Sequence, residues 1–253
     1  MSYKYDLIII GGGSAGLSAA ETGALFNKKI ALISEKRLGG DCLWTGCIPS
    51  KALLHAANRK LSWVKTRAEI DRARNYIHQH HDNPGFYEAK GIDVFLDKAK
   101  IIDAHTVQTK DQKLTVKDIL IATGSSAFVP PIPGLDKVHY QTNETVFELE
   151  NQPKSLIIIG GGPIGCELAK AFRKIGSTVH LIQRNERLIP KDEPEASQVL
   201  LKQFEQDGIN VYLKTDTKSV KKTKNGIELE ITQNGEVTAL NGDALLVAIG
   251  RVP

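Results

Sequence analysis

Cys42 and Cys47 are the side chains of this sequence best suited to redox chemistry, standing five positions apart in Gly39-Gly40-Asp41-Cys42-Leu43-Trp44-Thr45-Gly46-Cys47-Ile48-Pro49-Ser50-Lys51. A disulfide needs Cα atoms within about 4.4–6.8 Å, which an extended segment of this spacing exceeds and an incipient helical turn allows. Pro49 and Ser50 open a helical run that continues through Ala57, so Cys47 falls at or just before a first helical turn. There, unpaired N–H groups and the positive end of the dipole favour a thiolate. Other readings of the pair remain. A structural staple would close too short a loop to restrict the unfolded chain much. A zinc site lacks its other ligands, since the remaining cysteine is Cys166 and no Cys/His quartet completes a tetrahedron. Two unreactive buried thiols are also compatible with the spacing.

The elements that must position this segment are dinucleotide-binding in pattern. Leu7-Ile8-Ile9-Ile10 is an apolar strand followed at once by Gly11-Gly12-Gly13-Ser14-Ala15-Gly16, small residues through Ala20, and a second strand at Ile30-Ala31-Leu32-Ile33. A lone G-x-G-x-x-G says little, but strand, glycines, helix and strand in about thirty residues aim a helix N-terminus at a pyrophosphate. Leu156-Ile157-Ile158-Ile159-Gly160-Gly161-Gly162 repeats the first heptapeptide residue for residue, and Pro163-Ile164-Gly165 completes a second G-x-G-x-x-G. The repeat implies two dinucleotides. Val179-His180-Leu181-Ile182 ends in Gln183 and Arg184, with Arg187 nearby, where an NAD site would carry an acid; the two guanidinium groups favour a 2′-phosphate, hence NADPH.

Between the repeats, 51–80 reads as two helices broken at Asp82-Asn83-Pro84-Gly85, and the short segments of 92–116 read as a small antiparallel sheet. His78, His80 and His81 read as a solvated helix end rather than a metal site. Asn225-Gly226 and Asn234-Gly235 mark hairpin turns. At 253 residues the chain suffices for one large or two ordinary domains, and a net charge of +4 calls for no nucleic-acid partner. The opening apolar run of four residues is too short for a signal core or a membrane span, and three cysteines fit a reducing, cytoplasmic setting.

The run Gly39-Gly40-x-Cys42-x4-Cys47-x-Pro49-Ser50-Lys51 resembles the active-site signature of the pyridine nucleotide-disulfide oxidoreductases, flavoproteins that include glutathione reductase, dihydrolipoyl dehydrogenase and mercuric reductase. Asp41 and Leu43-Trp44-Thr45 resemble the mercuric-reductase-like branch. The resemblance implies an α/β fold of two Rossmann-like FAD/NAD(P)-binding units, each a parallel sheet with a helix layer and a small antiparallel β excursion. Residues 1–150 would bind FAD and 151–253 NAD(P).

By the same resemblance, electrons from NADPH or NADH pass through FAD to a Cys42–Cys47 disulfide. Cys47 would be the thiol nearer the flavin, and Cys42 the one that attacks a small-molecule or small-protein disulfide or binds a thiophilic metal ion. Lys51 and Glu167 match positions that pair beside the flavin. Gly40 and Ala122-Thr123-Gly124 match flavin contacts, and Gly250 a nicotinamide-domain position. The family's ribose-binding acid falls on Ser34, with Glu35 one place later. Cys166 reads as a core residue. In the family the rest of the flavin domain and a dimerisation domain would follow Pro253, so the resemblance implies about half of a homodimeric enzyme. A dihydrolipoyl dehydrogenase is the rival within enzymes, and a nucleotide-binding module without turnover the rival outside them.

Overall fold

The computed structural model describes residues 3–253, which divide into two compact units: residues up to 48 with 72–125 and 253, and residues 49–71 with 126–252. In the first unit β1 (Tyr5–Ile10), α1 (Ser14–Leu25) and β2 (Ile30–Ser34) form the expected strand–helix–strand, with Ile8 opposite Ala31 in parallel register. The chain then runs through α2 (Gly40–Trp44), α3 (Cys47–Asn58), α4 (Trp63–His80) and α5 (Pro84–Glu88). Helices α3 and α4 cross between the units, the first after Ile48 and the second after Asp71.

Strands β3 (Ile92–Leu96), β4 (Lys100–Asp103), β5 (Thr106–Gln108) and β6 (Lys113–Ile121) complete a six-stranded sheet of order β3-β2-β1-β6-β5-β4. One expectation is corrected here. Strand β3 is not part of an antiparallel sheet: it pairs parallel to β2, with Ile92 opposite Ile30. An edge strand of a parallel sheet keeps one side in solvent, so it carries the same alternation as a half-buried antiparallel strand. The break after α4 also starts a further helix, because the Asn83 side chain caps α5 by accepting from the Phe86 N–H at 3.0 Å. Strand β6 serves twice, antiparallel to β5 at Lys113–Thr115 and parallel to β1 at Asp118–Ile121.

Side chains alternate across this sheet. Ile9, Ile30 and Leu32 join Leu17, Ala20, Leu38 and Tyr87 in one core, while Ile8, Ala31 and Ile33 join Tyr5, Val107, Leu114 and Val116 in another.

The second unit opens with β7 (Ser126–Ala127) and continues through β8 (Ser155–Ile159), α6 (Pro163–Lys174), β9 (Thr178–Ile182), α7 (Pro194–Gln206) and β10 (Asn210–Tyr212). A meander of β11 (Thr215–Thr223), β12 (Gly226–Gln233) and β13 (Glu236–Gly242) leads to β14 (Ala244–Val247) and β15 (Arg251–Val252). The parallel sheet has order β10-β9-β8-β14, the meander is antiparallel, and β15 pairs with β7. Asn234 and Gly235 both have positive φ at the β12–β13 turn, as a type I′ hairpin demands.

Leu156, Ile158, Leu181 and Leu246 face Cys166, Leu168, Phe172 and Phe204, whereas Ile157, Ile159 and Leu245 face Val220, Leu229 and Ile231 of the meander. Residues 49–71 and 126–150 pack with the second unit. The physical reason is apolar: Leu53, Trp63 and Ile70 bury in the core of Phe172, with the Trp63 and Phe172 rings 5.9 Å apart and Trp63 Nε1 donating to the Leu149 carbonyl at 3.1 Å. Trp63→Ala is therefore expected to lower the stability of the second unit by about 3–5 kcal/mol. Val64→Ala, at a residue 78% exposed, should change it by less than about 0.5 kcal/mol in the same urea titration.

Candidate functional site

Both glycine loops are built alike. Gly11 (φ +120°) and Gly160 (φ +112°) leave their strands in a backbone conformation open mainly to glycine, and a β-carbon would lie 2.1 Å from the Ala122 carbonyl oxygen at the first and 2.4 Å from that of Ala248 at the second. The turn is fastened by Gly11 N–H to Ile33 O and Gly160 N–H to Ile182 O, both 2.8 Å. At Gly16 and Gly165 a β-carbon would meet the carbonyl of Gly11 or Gly160 at 1.8 and 1.9 Å, so the helix start sits directly on the strand end. Helices α1 and α6 each begin after an extended glycine, Gly13 or Gly162, with no side-chain cap and no acid in the first turn. Their first N–H groups are thus left for an anion. Ser14 and Ala15 are exposed there; so is Pro163, and Ile164 is half-buried.

Where the loops differ, the cysteine segment is the cause. A β-carbon on Gly162 would meet nothing within 4 Å, but Gly13 lies against Gly40, whose own β-carbon would approach Gly13 Cα to 2.6 Å. Gly39 N–H donates to Gly12 O at 2.8 Å, and Gly40 takes φ +55°. Two glycines therefore press α2 onto the first loop. Cys42 is half-buried in α2, Cys47 is exposed as the first residue of α3, and both are thiols. The thiols share a hydrogen bond. Burial, reinforced by Cys47 and then by the charge of Asp82 and only partly offset by the Cys47 N–H, pushes the Cys42 thiol up to about 11.

The strand ends are also paired. Ser34 is buried beneath Gly12 together with Leu38, and Gln183 beneath Gly161 together with Leu188. Gln183 is not turned to solvent: its Oε1 accepts from Gly161 N–H at 3.4 Å and its Nε2 donates to Arg187 O at 3.2 Å. Arg187 donates to the Pro190 carbonyl at 2.9 Å. One residue further on, Glu35 and Arg184 are exposed. Thr123 and Gly124 follow β6 at the surface, and Gly250 occupies the matching place after β14; at both glycines a β-carbon would find open space.

Lys51 and Glu167 meet within the second unit, Nζ to Oε1 2.7 Å, and Ser50 Oγ donates to the same oxygen at 3.1 Å. The pair is 65% and 30% exposed, so it is worth at most about 1 kcal/mol and matters for where it holds the ammonium. The Ser50 contact escaped the sequence reading, although Ser50 adjoins Lys51. Cys166 is buried, donates to Gly161 O at 3.4 Å and is pushed up to about 12 by burial, as a core thiol should be.

A scan against family models matches residues 5–253 to the pyridine nucleotide-disulphide oxidoreductases. The mercuric reductase of Bacillus cereus is 34% identical over the whole chain, which covers 42% of that protein. The dihydrolipoyl dehydrogenase of Acholeplasma laidlawii is 33% identical over 99% of the chain and 79% of its own length. A copper(II) complex of the HOCl-induced flavoprotein disulfide reductase RclA from Escherichia coli superposes with a TM-score of 0.85 at 28% identity, over 98% of this chain and 57% of that one. The chain belongs to the pyridine nucleotide-disulphide oxidoreductase family, whose flavoprotein disulfide reductases use FAD and NAD(P)H. It spans about half the length of the mercuric reductases it matches. Among the described residues no helix is long and apolar enough to cross a membrane.

The Cys42 thiol carries a pH prediction. The folded protein holds this proton more tightly than the unfolded chain, whose cysteines titrate near 9. Its stabilising share is complete below that pH and is lost as pH rises through 11. In the reduced protein at pH 8, iodoacetamide should alkylate Cys42 about a hundredfold more slowly than a free cysteine, read by peptide mass spectrometry, with the rate still climbing at pH 10.

Proposed function

We propose that this chain is the nucleotide-binding and dithiol-carrying portion of a flavin-dependent disulfide oxidoreductase of the mercuric-reductase-like branch, with 1–150 serving FAD and 151–253 serving NAD(P). The observation that carries it is the hydrogen-bonded Cys42–Cys47 pair on a helix pressed by Gly40 and Gly13 onto a dinucleotide loop. The uncapped starts of α1 and α6 fit two pyrophosphates. FAD and NAD(P)H, when bound, supply the two electrons that return the disulfide to the dithiol.

This chain's residues do the rest. Gly11, Gly13, Ser14, Ala15 and Gly16 cradle one dinucleotide, with Ser34, Glu35, Gly40, Ala122, Thr123 and Gly124 around it. Gly160, Gly162, Pro163, Ile164 and Gly165 cradle the other, with Gln183 bracing the loop and Arg184, Arg187 and Gly250 at its rim. Glu167, shared by Ser50 and Lys51, fixes one ammonium. In substrate reduction the Cys42 thiolate attacks one sulfur of a disulfide and expels the other as a thiolate. Cys47 then attacks Cys42 Sγ and releases the second product thiol. Two electrons leave the dithiol, and its two protons end on the products.

The mercuric reductases among the relatives favour a thiophilic metal ion as an alternative acceptor, and the Acholeplasma relative favours dihydrolipoamide chemistry as the second reading. The whole protein would act as a soluble homodimer.

The test is a thiol count. With FAD bound, anaerobic NADPH should raise the titratable thiols of the oxidised, subsequently denatured chain from one to three, since two of its three cysteines form the pair. No rise would overturn the proposal for this chain, and Cys47→Ser should abolish the rise. Arg184→Ala should weaken NADPH binding about tenfold and NADH binding less than about twofold, measured by nicotinamide fluorescence.

A further inference from the structure

The helix that carries Cys42 has only five residues, too few to keep its shape alone, so its ties to the rest of the first unit decide where the thiol lies. At its start Gly39 N–H donates to Gly12 O at 2.8 Å, and Leu43 is buried. At its end the chain doubles back. Thr45 N–H donates to Asp41 O at 2.9 Å, and a β-carbon on Gly46 would lie 2.9 Å from that oxygen and 3.5 Å from Cys42 Cα. Cys47 follows at once, so both thiols belong to one compact turn of chain, with Trp44 between them in sequence.

Trp44 is held by three contacts within the same unit. Its Nε1–H donates to the Leu38 carbonyl at 2.7 Å, the Arg37 guanidinium carbon lies 3.4 Å from the centre of its ring, and the His78 ring meets it edge-on with centroids 5.2 Å apart. At that distance the planar guanidinium stacks on the indole. His78 has a fixed place of its own: its Nδ1 lies 2.7 Å from the Asp82 carbonyl, and Asn83 Nδ2 donates to the His78 carbonyl at 2.9 Å. Thiol exchange itself makes no use of an indole, a guanidinium or this imidazole.

We propose that Trp44, stacked by Arg37 and braced by His78, is a positioning residue for the dithiol: it holds α2 so that Cys42 stays against Cys47 before their bond forms, and thereby favours the disulfide over the dithiol. This deepens the function proposed above and rests on Cys42 and Cys47 being its redox pair. The physical reason is preorganisation. In the disulfide form a covalent bond restrains α2, whereas in the dithiol form only its packing and hydrogen bonds do. Loss of the Trp44 contacts therefore frees the dithiol more than the disulfide, and closing the bond then costs more conformational entropy. A dithiol that closes readily is also the stronger reductant of a substrate disulfide.

The experiment equilibrates the native chain at pH 7 with mixtures of reduced and oxidised glutathione, quenches with acid, and counts the Cys42–Cys47 disulfide by alkylation and peptide mass spectrometry. In this exchange the S–S bond of oxidised glutathione breaks and the Cys42–Cys47 bond forms. Two electrons pass from the dithiol to glutathione, and its two protons end on two glutathione thiols. Arg37→Ala, at an exposed residue, should lower the equilibrium constant for disulfide formation by about threefold. Trp44→Ala, which removes all three contacts, should lower it by about tenfold. A ring with a merely structural role would destabilise both redox forms alike and leave the constant unmoved. An unchanged or higher constant in Arg37→Ala, or in Trp44→Ala where that variant folds, overturns the proposal. A native chain that forms no Cys42–Cys47 disulfide at any glutathione ratio would sink the functional reading together with this one, whereas a native disulfide whose constant ignores Arg37 and Trp44 overturns this inference alone.

Discussion

In the two glycine loops four carbonyl oxygens occupy the space in which any residue but glycine would hold its β-carbon: Ala122 against Gly11, Gly11 against Gly16, Ala248 against Gly160, and Gly160 against Gly165. That steric constraint lets each helix start on top of its strand, with unpaired N–H groups at the surface instead of a side-chain cap. Parallel strands then stay in register beneath the loop, because Ala122 N–H to Ile10 O and Ala248 N–H to Ile159 O tie a third strand to the same turn at 2.8 Å. The same backbone packing that seats each helix leaves its start without a side-chain cap.

The two units use that arrangement for different ends. In the first, the cysteine helix fills the approach to the loop, and Gly40 is glycine because Gly13 stands where its side chain would go. In the second, the approach over Gly162 is open. The thiol pair is thus attached to one copy of a repeated device. The strand ends diverge in parallel: Ser34 and Gln183 brace their loops from below, and the outward charge falls one residue later, negative at Glu35 and positive at Arg184.

Helices α3 and α4 carry the chain between the units, and their composition follows their two settings. Leu53, Trp63 and Ile70 are core residues of the second unit, while the far end of α4 carries His78 and the turn at Asp82 beside the cysteine helix. A histidine-rich helix end that sequence alone reads as solvated therefore sets one ring, His78, against Trp44 of the cysteine helix. Its relevance is invisible along the chain because Trp44 and His78 are thirty-four positions apart and meet only through the fold.

Local features were legible from sequence: both strand–glycine–helix units, the exact heptapeptide repeat, the helix opening at Cys47 and the hairpin turns, since each follows from short-range sterics and hydrogen bonding that neighbouring residues dictate. The dithiol, the glycine loops and the candidates Lys51 and Glu167 were likewise visible as motifs. Their partners were not. The parallel pairing of β3, the passage of 49–71 into the second core, the inward turn of Gln183, and the contacts of Ser50 with Glu167 and of His78 with Trp44 join residues distant in sequence. Such contacts depend on which apolar faces find each other and which buried polar atoms remain to be satisfied, and only the folded chain decides that.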